Sequence, residues 1–269
     1  MNKIQVIICG AAGKMGRSII KGIAAEPDLN IIGAVDLISN GEDAGVLAGV
    51  KPLGITVTSD LRAILADREA DVLIDFTAPA SVMDNVRCAL QHKVVPVVGT
   101  TGIGEAELNT ISGWVDSFNT GAIIAPNYAI GAVLMMKAAQ LFAAYLPDVE
   151  IIEMHHDEKL DAPSGTARKL AALIRSATGQ TQPAKEELEI FPGVRGGRVA
   201  GIPVHSIRLP GLMAHHAVVF GSAGQLLTIR HDTLDRDCYI PGVLLAVRSA
   251  PGKKELIYGM DKLLQLSIK

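Results

Sequence analysis

The stretch Ile4-Gln5-Val6-Ile7-Ile8-Cys9-Gly10-Ala11-Ala12-Gly13-Lys14-Met15-Gly16 is the most telling in the chain. Ile4–Cys9 is an apolar run rich in β-branched residues, which predicts a strand buried on both faces. Residues 10–16 have the spacing G-x-x-G-x-x-G, and Met15, Ile19, Ile20 and Ile23 then recur at helical intervals over Lys14–Ala25. A glycine turn between a strand and a helix is what a pyrophosphate requires. The first glycine permits the tight turn, a loop glycine lets backbone N–H groups approach the phosphates, and the last lets the helix pack on the strand. The positive end of the helix favours the anion. A second strand, Ile31–Val35, leads to Asp36, twenty residues after Gly16, where an acceptor for ribose hydroxyls belongs. No G-K-[ST] follows, so this is not a Walker loop. A glycine turn with only a structural role is the bland alternative. The strand–turn–helix context and Asp36 together favour dinucleotide binding. Leu37 stands where a 2′-phosphate would want a cation, so NADH is expected to serve at least as well as NADPH.

Outward from this motif, strands and helices alternate. Asp71–Phe76, Val94–Val98 and Ala122–Ala125 read as strands, with helices over about 80–92 and 105–118. This order predicts a parallel sheet with right-handed crossovers. After Asn127 the texture changes. A long helix is expected over Ile130–Leu146, a strand over Val149–His155 and a helix over Ser164–Thr178 ended by Gly179. Gln180–Gly201 reads as a loop. Val204–Leu209, Ala217–Phe220 and Leu226–Arg230 read as antiparallel-type strands. A helix with Pro241 in its first turn spans Cys238–Ser249, and Met260–Leu266 holds a last helical turn or two. The expected class is α/β: a Rossmann-type parallel-sheet domain over 1–127, with 241–269 folding back on it, and a smaller α+β domain over 128–240.

Composition narrows the function. The 269 residues carry 25 Lys+Arg against 28 Asp+Glu, and only 4% are aromatic. That balance excludes a nucleic-acid binder working through bulk positive charge, and aromatic poverty argues against a base-stacking surface. Cys9, Cys88 and Cys238 are scattered and form no CxxC, so a disulfide framework and a zinc ribbon are not expected. The N-terminal apolar run is too short for a signal peptide, and the richest apolar stretch, Ala129–Leu146, is interrupted by Lys137 and Gln140. A cytoplasmic protein without a membrane partner is expected.

The densest polar cluster runs from Glu153 to Ala167 (EMHHDEKLDAPSGTA) between a strand and a helix. Adjacent residues on a strand face opposite ways, so His155 and His156 have different tasks. Ser164 is suited to cap the helix, leaving the N–H groups of Gly165 and Thr166 for a carboxylate. Lys159 supplies a mobile cation, and His155 can act as a general acid near neutral pH. The bland alternative is a capped helix beside a solvated loop. A metal is not expected: contiguous His155, His156, Asp157 and Glu158 rarely converge on one ion, and no H-E-x-x-H spacing occurs.

Five segments together resemble the 4-hydroxy-tetrahydrodipicolinate reductase (dihydrodipicolinate reductase) family. They are GAAGKMGR at 10–17, GTTG at 99–102, APNYAIG at 125–131, EMHHDEKLDAPSGTA at 153–167 and HSIRLPGL at 205–212. The resemblance runs nearly end to end. It implies reduction of a small cyclic dicarboxylate with NADH or NADPH in lysine biosynthesis through diaminopimelate, a second domain for substrate binding and oligomerisation, and a homotetramer. By similarity, Gly10, Ala11, Ala12, Gly13, Lys14 and Met15 bind the pyrophosphate and Asp36 the adenosine ribose. Gly99, Thr100, Thr101, Ala125, Pro126, Asn127 and Tyr128 line the nicotinamide side. His155 and Lys159 match the proton-transfer residues, and His156, Gly165, Thr166 and Arg236 match substrate contacts. Leu37 departs from members that carry an arginine for the 2′-phosphate. Two rivals are another Rossmann reductase, such as an aspartate- or homoserine-type dehydrogenase, and a non-catalytic NAD(H)-sensing regulator. The PSGTA segment after the histidine pair speaks against the first, and the lack of a basic recognition helix against the second.

Overall fold

The computed structural model describes residues 3–178 and 188–266. The chain divides into two compact units. One spans residues up to Ile130 and again Tyr239–Gln265, and the other spans Gly131–Cys238.

The first unit opens with β1 (Ile4–Cys9), α1 (Lys14–Ala24), β2 (Leu29–Val35), α2 (Ala44–Leu47), β3 (Val57–Thr58) and α3 (Leu61–Asp67). It continues with β4 (Val72–Asp75), α4 (Pro79–Gln91), β5 (Val95–Val98), α5 (Glu105–Phe118) and β6 (Ala122–Ile124). The second unit holds α6 (Ile130–Ala143), β7 (Asp148–His155), α7 (Gly165–Thr178), β8 (Gly197–Val199), β9 (Ile202–Arg208), β10 (Ala214–Ser222) and β11 (Gln225–Thr233). A 3-10 turn, Arg236–Tyr239, precedes α8 (Ile240–Ser249), β12 (Leu256–Tyr258) and α9 (Met260–Leu263), which belong to the first unit.

The first unit is a Rossmann-type sheet with strand order β12-β6-β5-β4-β1-β2-β3, every pair parallel. β1 and β4 are central, and their buried residues are apolar except Asp75 at the end of β4, as suits strands covered by helices on both sides. The strand order reverses between β1 and β4. Ligands of such sheets bind outside the carboxyl ends of the strands at that point. β12 adds to the β6 edge, and Arg248 of α8 reaches the carboxylates of Asp28 (Nε, 2.8 Å) and Glu26 beside α1.

The second unit is a five-stranded sheet of order β11-β10-β7-β9-β8. Here the expectation of antiparallel strands needs correction. β9 runs parallel to β7, with Ile151 beside Val204 and His155 beside Arg208, because the chain crosses over through α7. β10 pairs antiparallel with both β7 and β11. Along β7 the burial alternates: Val149, Ile151, Glu153 and His155 are buried, while Glu150, Ile152 and Met154 are half-exposed. One face is therefore covered by helices, with Phe142 of α6 edge-on to the buried Phe220 ring at 5.9 Å. α6 ends at Ala143, short of the expected Leu146, since Leu146 precedes Pro147 and is biased away from helix. The expected helix end at Gly179, and residues 180–187 of the expected loop, lie outside the described residues; the end of that expected loop is instead a strand, β8, which pairs antiparallel with β9 at the sheet edge.

Candidate active site

The turn after β1 is built for close approach. Gly10 has φ +82°, and a Cβ there would lie 2.4 Å from the Phe76 carbonyl oxygen. A Cβ on Gly16 would lie 2.0 Å from the Gly10 carbonyl oxygen, so α1 packs directly on the turn. Ala11 and Ala12 are buried, Met15 is half-buried, and Gly13 and Lys14 are exposed. α1 has no side-chain N-cap at Gly13 and no acidic residue in its first turn. Its positive end is thus uncompensated by the protein, which suits a pyrophosphate. Asp36, just past β2, accepts hydrogen bonds from Ala12 N–H (2.8 Å) and Ile38 N–H (3.0 Å), so the carboxylate also holds the loop. Leu37 beside it is 86% exposed and offers no cation.

The second loop of this unit is held from beneath by Asp75, which has no solvent access. Its Oδ1 accepts from Thr100 Oγ1 (2.6 Å), Thr77 Oγ1 (2.8 Å) and Thr77 N–H (3.1 Å), and its Oδ2 from Asn85 Nδ2 (2.8 Å). Thr100 Oγ1 in turn accepts from Thr77 N–H at 2.8 Å. This network shapes the turn Gly99-Thr100-Thr101-Gly102, whose Thr101 is exposed. Tyr128 is buried against Phe76, with ring centroids 5.6 Å apart, and donates to the Val98 carbonyl at 2.9 Å. Ala125 N–H donates to the same carbonyl (3.0 Å), and Asn127 Oδ1 accepts from Ala129 N–H (2.8 Å). Pro126 is exposed between them. The residues expected on the nicotinamide side thus converge on one rim of the sheet, at β5 and β6. Asp75, Thr77 and Asn85 were not among the expected site residues.

In the second unit, His155 ends β7 and is buried, while His156 is exposed, as alternation requires. His155 Nδ1 is hydrogen-bonded to Glu153 Oε2. Glu153 has no solvent access, and its Oε1 accepts from Arg208 Nη2 (2.8 Å) and Ser164 N–H (3.3 Å). Burial alone would push this carboxyl up, but hydrogen bonds from Arg208, Ser206 and His155 outweigh it and hold it low. Burial lowers the His155 pKa from its ordinary value, and Glu153 opposes that shift only in part. Ser164 caps α7, accepting from Ala167 N–H at 3.2 Å. Its hydroxyl also meets His216 Nε2 at 3.2 Å. Burial, with the nearby His155 next, lowers the His216 pKa to about 4.

Lys159 Nζ donates to Asp161 Oδ1 at 2.5 Å, and Arg208 holds this loop by donating to the carbonyls of Lys159 (3.2 Å) and Asp161 (2.7 Å). Gly165 is exposed at the start of α7, and a Cβ there would meet only Arg168 Nη2, at 3.9 Å, so the helix end stands clear. Thr166 is half-buried beside it. Arg236 is exposed in the 3-10 turn, and among the described residues no hydrogen bond or ion pair joins it to this cluster. The ligand-type atoms of Glu153, His155 and His216 lie within 4.8 Å of one another. Each already has a protein partner, and the Arg208 cation sits on the carboxylate, so the donor set suits proton handling better than a metal ion.

Glu153, Arg208 and His216 are the residues that sequence reasoning missed here. Glu153 was detectable, since a residue two positions before His155 on a strand shares its face. Arg208 and His216 arrive through the registers of β9 and β10, which the sequence does not print.

A dinucleotide-binding sheet joined to a second unit with a buried acid–base cluster defines a nicotinamide-dependent oxidoreductase. The chain belongs to the dihydrodipicolinate reductase family. The family model for "Dihydrodipicolinate reductase, N-terminus" matches residues 4–128, and that for the C-terminus matches residues 131–264. It is an NAD(P)H-dependent enzyme of the lysine–diaminopimelate route, as that family is. It is 50% identical to the 4-hydroxy-tetrahydrodipicolinate reductase of Desulfitobacterium hafniense over 269 residues, covering 98% of this chain and 100% of the relative. It is likewise 50% identical to the reductase of that name from Synechocystis, covering 97% of this chain and 98% of the relative. Among solved structures it is similar to "Dipicolinate bound Dihydrodipicolinate reductase from Paenisporosarcina sp. TG-14", at 41% identity and TM-score 0.85, covering 97% and 99% of the two chains. An amine dehydrogenase from Mycobacterium smegmatis shares the fold alone, at 14% identity and TM-score 0.62.

The low His216 pKa has a consequence for stability. Between its folded value of about 4 and its ordinary 6.5, the unfolded chain binds more protons than the native one. Stability should therefore fall as pH drops through this window, by up to about 3 kcal/mol from His216. His155 and Glu153 add to the loss with the same sign, Glu153 only at lower pH. Urea unfolding at pH 7.5 and pH 5 measures the loss, and His216→Gln should shrink it. An unchanged loss in that variant would remove His216 as its source.

Proposed function

We propose that this chain reduces 4-hydroxy-tetrahydrodipicolinate to tetrahydrodipicolinate, with loss of water, using NADH or NADPH. The observation that carries the reading is the buried His155 backed by Glu153 beside the clear N-terminus of α7. The name of the relative with bound dipicolinate, a planar dicarboxylate, supports a substrate of that class.

The two units divide the work in this reading. Residues 1–127, with 241–269, form the cofactor domain, and residues 128–240 form the substrate and assembly domain. Gly10 to Met15 hold the pyrophosphate through backbone N–H groups, and Asp36 accepts from the ribose. Gly99 to Thr101 and Ala125 to Tyr128 form the wall on the nicotinamide side. When bound, the reduced nicotinamide supplies the hydride. One substrate carboxylate sits on the N–H groups of Gly165 and Thr166, and His156, Lys159 and Arg236 add charge-assisted hydrogen bonds. Loss of the 4-hydroxyl as water leaves a conjugated imine. Hydride adds at ring C4, and the resulting enamine takes a proton at C3 from His155 or Lys159. His155 serves this step through Nε2, because Nδ1 faces Glu153. A bound dianion raises the His155 pKa and so favours the imidazolium that donates. The protein's share is positioning and electrostatic stabilisation.

The enzyme works in the cytoplasm as a homotetramer. The uncovered face of the second sheet supports the assembly. It presents the half-exposed Ile152, Met154 and Val219 and the more exposed Ile207 and Leu226 around two ion clusters, Arg195–Glu150–His205 and His215–Asp232–Arg230. An apolar face with paired charges is the composition of a subunit interface.

Cofactor oxidation followed with freshly made substrate tests the activity. His155→Ala should lower kcat by about 100-fold with little change in KM, while Lys159→Ala should damage both. A His155→Ala enzyme of wild-type kcat would remove His155 from proton transfer. With Leu37 exposed after Asp36, kcat/KM with NADH should equal or exceed that with NADPH, and a strong NADPH preference would sink this expectation. Light scattering should give four chain masses in solution, and a monomer at working concentration would rule out the assembly.

A further inference from the structure

We propose that Glu153, clamped by Arg208, is a positioning residue that fixes the tautomer and charge of His155 for proton transfer. The inference rests on the reading of His155 as a proton-transfer residue.

The geometry leaves little choice of state. Glu153 has no solvent access, and every group bonded to it is a donor: Arg208 Nη2, the Ser206 hydroxyl, Ser164 N–H and His155 Nδ1. The Arg208 guanidinium neutralises the carboxylate, so Glu153 is an acceptor with no proton of its own. His155 Nδ1 must then carry a proton, and Nε2 is the nitrogen at which His155 gains and loses one. Arg208 comes from β9, beside His155 in the parallel register, and also donates to the carbonyls of Lys159 and Asp161. One side chain thus ties the carboxylate behind His155 to the loop that carries Lys159.

The groups facing His155 are Glu153 on its own strand, Arg208 on β9, His216 on β10 and Lys159 in the following loop. The His216 ring stands edge-on at 5.4 Å. His231 on β11 acts on His216 from behind. Glu153 raises the His155 pKa, whereas Lys159 and Arg208 lower it. Removing Glu153 and removing Arg208 must therefore move the titration of His155 in opposite directions. A loss of packing alone would not do this.

Glu153→Gln keeps the shape but offers one acceptor oxygen where four donors meet, so at least one donor is left unpaired. We expect kcat to fall by about 100-fold with KM changed by less than about 3-fold, as when a histidine loses its orienting carboxylate. Titration of His155 by carbon-13 NMR, assigned by its absence in His155→Gln, should move to lower pH in Glu153→Gln and to higher pH in Arg208→Gln. The double variant Glu153→Gln/His155→Gln should be no slower than His155→Gln alone, because Glu153 acts only through the imidazole. Wild-type kcat in Glu153→Gln, shifts of the same sign, or losses that add in the double variant would overturn the proposal. Should Glu153→Gln not fold, the upward shift in Arg208→Gln decides the matter. A His155→Gln enzyme of wild-type kcat would instead overturn the reading of His155 itself.

Discussion

A carboxylate without solvent access must be surrounded by donors, and this constraint organises both halves of the chain. Among the described residues two acidic side chains are fully buried, Asp75 and Glu153. Asp75 ends its strand, and Glu153 stands two residues before the end of its own. Each gathers hydroxyls, amides or a guanidinium from several segments, near and far in sequence: Thr77, Asn85 and Thr100 around Asp75, and Ser164 and Arg208 around Glu153. The loops that must face a ligand are thereby fixed from beneath, through their least exposed atoms. Breaking such a shell on one side leaves a charge or a donor unpaired, at a cost of several kcal/mol when a buried pair is split. The polar network is therefore costly to leave half-made, and that stake gives the loops a single geometry.

The two shells differ in chemistry, and the difference matches their tasks. Asp75 is surrounded by neutral hydroxyl and amide donors and holds a turn still. Glu153 faces a cation on one oxygen and an imidazole on the other, so its charge is felt by a group that can change protonation. Where a site must only position, neutral donors suffice. Where it must move a proton, the environment has to set a pKa, and that requires fixed charges at short range.

The first unit was legible because its signal is local. A strand, a glycine turn and a helix follow one another between Ile4 and Ala24, and burial on both faces leaves an apolar run that needs no partner to be recognised. β3 and β12 escaped notice because they are two and three residues long, too short to show a period. In the second unit, the pattern Val149–His155 disclosed a strand but not its neighbours. The segments after Gly201 read as antiparallel-type strands, whereas the α7 crossover makes β9 parallel to β7. That register error had a price at the site: with β9 read as antiparallel, nothing brings Arg208 beside His155. Glu153 needed no register, only the two-residue period of a strand.

Asp36 illustrates how a residue legible for one reason acquires a second. Its spacing from Gly16 marked it as a ribose acceptor, and its carboxylate also receives the Ala12 N–H, so the acidic group and the phosphate loop form one rigid piece. The same geometry bears on cofactor choice. A 2′-phosphate near Asp36 would meet a negative charge that cannot swing away without releasing Ala12. Leu37 supplies no compensating cation, and Arg17 is engaged with the Ala12 carbonyl through Nε at 2.9 Å. Arg17 keeps its terminal nitrogens for an anion, but the repulsion from Asp36 is fixed by the fold. If NADH is the better cofactor, as expected, an anchored anion contributes to that preference more than a missing arginine does.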